Sequence, residues 1–169
     1  MKVFSVKQPW AYLLCSGIKD IENRTWKLPK EYIGQRVLIH ASAKPEELSP
    51  HLFTNEQWVA IGEKARRHIV DELPFTSAII GSVRFVDCVI NHPSIWAEKS
   101  KPILFDDYGF PIEYEHKTYN WVVEDPILFG SPVMGVKGKL RFWNYHGKTP
   151  LKKVYLEGSE EPCKTIPYW

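Results

Sequence analysis

A long β-branched run, AIIGSVRFVDCVI from Ala78 to Ile90, commits this chain to a sheet. Val and Ile lose rotamer freedom in a helix and pack well on a pleated surface. Gly81, inside the run, marks a bulge. RVLIHAS (Arg36 to Ser42) reads as a second strand, in which His40 alternates with Leu38 and Ser42 opposite Val37, Ile39 and Ala41. Further strands are expected at Lys2 to Val6, in TYNWVVED with Trp121 in the core, and in PVMGVKGKLRFWNY, interrupted by Gly135 and Gly138.

Helices are fewer. PWAYLLCSG reads as a short helix opening at Pro9, where proline suits the first turn, and stopped by Gly17. Trp10, Leu13 and Leu14 share its inward face. A second helix runs from Glu56 to Asp71, capped by Thr54 or Asn55, with Trp58, Ile61, Ala65 and Ile69 as its buried stripe. Asn91 to Lys101 reads as a turn and a short helix, and KPILFDDYGFPIEYEHK as an inserted loop or small hairpin. This order has no regular βαβ repeat. It indicates the α+β class, a small, partly open β-barrel or strongly curved sheet with two or three flanking helices. One domain over 1–146 is expected, followed by a loosely packed tail over 147–169.

Composition excludes several functions. A formal net charge of +2 demands no nucleic-acid partner, although a local basic patch would still matter. The three cysteines, Cys15, Cys88 and Cys163, form no CxxC pair, which argues against a disulfide framework or a zinc site and suits a reducing cytoplasm. No stretch reads as a signal peptide or approaches the ~20 apolar residues of a membrane span. No phosphate-loop, dinucleotide or zinc-protease signature occurs, so neither a cofactor nor a metal is expected. Seven Trp, eight Tyr and eight Phe are an unusual number; most of them suit the core, and those near the surface present flat rings suited to stacking on a ligand.

Chemistry concentrates in GIKDIENRTW, Gly17 to Trp26. With the chain extended after Gly17, Glu22, Arg24 and Trp26 share one face and Ile21, Asn23 and Thr25 the other, with Lys19 reaching in from the turn. A carboxylate between two cations stays ionised near neutral pH. It can accept hydrogen bonds from a base or act as a proton acceptor. The same residue types also make an ordinary surface ion-pair cluster. His40 and Ser42 on one strand face, with Lys44 following, can line a polar cavity or serve structure alone. Lys137, Lys139, Arg141 and Trp143 alternate onto one face of the last strand, an arrangement suited to phosphates and a stacked base or to a solvated outer face.

Together these segments resemble the ASCH domain family, a branch of the PUA-like β-barrels. Its GxKxxExR hallmark stands here as Gly17, Lys19, Glu22 and Arg24, inside SVKQPWAYLLCSGIKDIENRTW. RVLIHAS and NWVVEDPILFGSPVMGVKGKLRFWNY, with its acidic-proline turn and Lys-Gly element, resemble the later strands. The resemblance implies a barrel whose cleft holds the motif. The implied ligands are RNA, a nucleotide or a modified nucleoside, with Trp10 or Trp26 stacking on the base. Some relatives are amidohydrolases of acylated cytidine, using the motif lysine and a threonine where this chain has Glu22. A ribonuclease or amidohydrolase with Glu22 as base and Lys19 and Arg24 as charge stabilisers is the enzymatic alternative. A protein-interaction domain with exposed aromatics is a third.

Overall fold

The computed structural model describes residues 1–70, 75–101, 104–113 and 117–149. Among these residues eight strands and two α-helices follow one another as β1 (Lys2–Val6), α1 (Trp10–Cys15), β2 (Ile21–Arg24), β3 (Arg36–Ala41), α2 (Asn55–Val70), β4 (Ala78–Val89), β5 (Leu104–Phe105), β6 (Pro111–Glu113), β7 (Tyr119–Val133) and β8 (Phe142–Asn144). Six of the strands form one mixed sheet in the order β2-β7-β4-β3-β1-β8. Only β1 and β3 run parallel. The sheet curls into a half-barrel, the partly open α+β architecture expected from the sequence.

The curl has a local cause. Pairing shifts register once between β3 and β4, at Ile39/His40, and again between β4 and β7. Each bulge bends its strand and sharpens the right-handed twist. Two of these shifts flank Ile80, next to Gly81. The glycine also leaves room for α1, because a Cβ there would lie 2.7 Å from Cys15 Sγ. The helix therefore seats Ala11, Leu14 and Cys15 directly on the concave face, among Phe4, Phe85 and Trp121. Trp121 is fully buried, as expected, and its indole N–H donates to the Trp26 carbonyl at 3.2 Å.

α2 covers the outside of the motif segment. Its Ile61, Ala65 and Ile69 pack with Leu13, Ile21 and Trp96, while Trp58 is only partly buried. Thr54 and Gln57 cap it reciprocally, each backbone N–H donating to the other's side-chain oxygen, at 3.0 and 3.2 Å.

The structure corrects three sequence expectations. Residues 137–141 are not strand. Gly135, at φ +70°, breaks the ladder after β7, and the chain rejoins the sheet only at Phe142, opposite Phe4. Lys137, Lys139 and Arg141 therefore share no pleated face. Residues 91–101 hold no helix. Polar groups pin this segment in an irregular path, with Asn120 accepting from His92 N–H, Asp20 from the Ser94 hydroxyl, and Asn23 from Glu98 N–H. The acidic-proline segment is not a turn between strands either. β7 runs through it, with Asp125 at φ +47° as a bulge where Ser82 pairs with Ile127 and Arg84 with Glu124. The small hairpin of β5 and β6 appears as expected. The end of the second helix at Asp71, Cys163 and most of the tail lie outside the described residues. No described helix is long and apolar enough to cross a membrane.

Candidate functional site

The site grows from the end of α1. Gly17 takes the left-handed conformation (φ +77°) that ends helices cheaply only at glycine. The N–H groups of Ile18 and Lys19 both fold back to the Leu13 carbonyl, at 3.1 and 2.9 Å. This turn drives Lys19 inward, where it is 4% exposed. Its Nζ donates to the Ile21 carbonyl, stands 3.4 Å from Glu22 Oε2, and lies 5.6 Å from the Trp10 ring centre.

Glu22 is 5% exposed and uses its other oxygen on Arg24, at 2.7 Å. Arg24 is the outermost of the three. Its guanidinium lies 4.6 Å over the Phe4 ring and donates to the Ser5 carbonyl at 3.4 Å. The charge cluster of the motif is thus a largely buried chain, Lys19 to Glu22 to Arg24, rather than a solvated surface. All three side chains line one open cleft of about 1540 Å³. That exceeds the ~300–1,000 Å³ of a typical small-ligand pocket.

Burial lowers the pKa of Lys19, outweighing the opposing attraction of Glu22 and Glu98. The sign of the consequence follows from linkage. Folded protein releases this proton before unfolded protein does, so the residue's contribution is full above the ordinary value of 10.5 and is lost as pH falls through the folded pKa. The urea midpoint of the wild type should therefore rise relative to Lys19→Met as pH climbs toward that value. A pH-independent gap would contradict the assignment.

His40 also lines the cleft and is almost fully buried. Its Nε2 lies 2.8 Å from the Val136 carbonyl, its Nδ1 is buried without a partner among the described residues, and burial lowers its pKa. Ser42, Trp10, Lys137 and Lys139 line the same space. Three expected residues do not. Lys44 is exposed beyond the lining. Trp26 packs edge-on against Trp121 at 4.6 Å, and Arg141, at φ +58°, lies 5.6 Å over the Trp26 ring. Both leave the cleft because β2 ends at Arg24 and β8 begins only at Phe142.

Sequence reasoning missed the part of the wall that adjoins the motif strand. Trp96 and Glu98 come from the pinned 91–101 segment, Ser49 and His51 from the approach to α2, and Gln57 from its first turn. The Asn and Ser residues that pin that segment were its only sequence signal. Among the described residues no three His, Cys, Asp or Glu side chains group so as to hold a metal ion.

The family model for the ASCH domain matches residues 4–133 of the 169. No curated protein matches the chain.

Proposed function

The chain belongs to the ASCH domain family, whose fold is PUA-like, and from this we propose that its cleft binds RNA or a nucleotide by reading a base at the GxKxxExR motif. The observation that carries the reading is Glu22, a carboxylate held between two cations at the wall of an open cleft beside Trp10. Such a group accepts hydrogen bonds from the amino or imino edge of a base, while an aromatic face stacks on its ring. Lys19 and Arg24 hold the carboxylate in place. Lys137 and Lys139 supply positive charge for phosphate. The proposed functional unit is 1–146, because β8 pairs with β1 and the preceding loop lines the cleft.

One observation favours a hydrolase in the same cleft. A lysine whose pKa is pushed down by burial has the character of a proton-transfer group. Incubation with a panel of RNAs and modified nucleosides, read by mass spectrometry, separates the two. Retention of an unchanged ligand is the expected result. Conversion of an acylated cytidine or cutting of RNA would replace binding with turnover, and neither retention nor conversion would end the nucleotide reading.

A further inference from the structure

The charges of the cleft are unevenly matched. Toward the motif and the α2 side, each lining cation already holds an acid. Lys7 is 3.1 Å from Glu46, and Lys19 and Arg24 share Glu22. Glu98 stands exposed on the same wall, in no ion pair with a described residue.

The 135–140 loop is the reverse. Lys137 and Lys139 are exposed and pair with no acid among the described residues. The Val136 N–H is used by the Ser77 carbonyl, but the N–H groups of Lys137, Gly138, Lys139 and Leu140 donate to no described residue. Gly138 lies against the His40 ring, where a Cβ would come 2.6 Å from Cε1. The loop also adjoins the motif through one residue. Ser5 donates its hydroxyl to the Lys139 carbonyl at 3.1 Å, and its own carbonyl accepts from Arg24.

We propose that this corner, formed by Arg24, Ser5 and the 135–140 loop, seats one terminal phosphate monoester. The ligand class is then a nucleoside monophosphate, or the phosphorylated end of an RNA, rather than an internal stretch of strand. The inference rests on the nucleotide reading above and narrows it. A phosphate monoester carries about −1.5 to −2 charge near pH 7, which suits two unpaired lysines and a set of free backbone N–H donors. Internal diesters carry one charge each and need cations spaced along their path. Apart from the corner, the motif and the histidines, the charged side chains among the described lining residues are the neutralised Lys7–Glu46 pair and the repulsive Glu98.

Calorimetric titration of ribonucleosides and their 5′- and 3′-monophosphates tests this. A short mixed-sequence RNA, with and without a terminal phosphate, forms the second arm. At least about tenfold tighter binding of the phosphorylated form is expected in one or both arms. Advantage in the first arm alone identifies the free nucleotide, and in the second alone the RNA end. Lys137→Ala/Lys139→Ala should lose the advantage, while a charge-matched change on the exposed side of α2, Lys64→Ala/Arg67→Ala, should keep it. Equal affinity with and without the phosphate, or an advantage that survives the loop variant, would overturn the proposal and leave base binding standing. Failure of every probe to bind would remove both.

Discussion

Glu22→Ala should destabilise the fold by about 3–5 kcal/mol, the usual cost of stranding one partner of a buried ion pair. Lys19 would remain with 4% exposure, the Ile21 carbonyl as its hydrogen-bond acceptor, and no carboxylate in contact. Arg24, about one-third exposed, can turn to solvent and loses less. The companion double variant Lys19→Met/Glu22→Leu should recover much of the loss, because replacing a buried pair with apolar groups of similar volume is often neutral. Urea denaturation of both variants provides the check. A double variant as unstable as the single one would show that the pair is not the cause. Glu22→Gln isolates the ligand effect, since it keeps size and one acceptor oxygen. Base recognition alone predicts weakening by about 1–3 kcal/mol. A general base would instead lose about 10²-fold in turnover with binding nearly kept.

Gly81→Ala is the second change with a large expected effect, about 3 kcal/mol or more, read as a drop on the order of 10 °C in Tm. The new Cβ would stand 2.2 Å from the Ile127 carbonyl oxygen and 2.7 Å from Cys15 Sγ. Neither can swing aside, since one is sheet backbone and the other a fully packed helix side chain. α1 would have to lift, and with it the turn at Gly17 that aims Lys19 into the cleft. Ligand affinity should fall together with stability. Gly130→Ala, with nothing within 4 Å of the added carbon, is the control and should change stability by less than about 0.5 kcal/mol. A Gly81→Ala protein with wild-type Tm would refute the packing of α1 on the sheet.

The contrast between these positions explains what the sequence disclosed. The strands Arg36–Ala41 and Ala78–Val89 were legible because β-branched residues on both faces leave a chain no other economical state. The turn at Gly17 was legible because it depends on one residue type and one neighbouring helix. Alternation also placed Glu22 and Arg24 on a common face, where they meet at 2.7 Å. It failed for Lys137, Lys139 and Arg141 because a period of two means something only inside a ladder. Gly135 and Gly138 removed that ladder in favour of packing against His40. The 91–101 segment failed for a related reason. Its path is set by side chains of Asp20, Asn23 and Asn120, remote in sequence, which no local pattern reveals. Part of the cleft wall therefore came from residues whose local sequence carries little periodic signal.

Ultraviolet cross-linking of a retained RNA, with the modified peptides mapped by mass spectrometry, locates the ligand without reference to its identity. Base recognition at the motif requires cross-links in peptides carrying Trp10 or Trp96, which both line the cleft, and their loss when Glu22→Gln weakens binding. Cross-links confined to the exposed Phe105, Tyr108 and Phe110 of the β5–β6 hairpin, or to the outer side of α2, would contradict it.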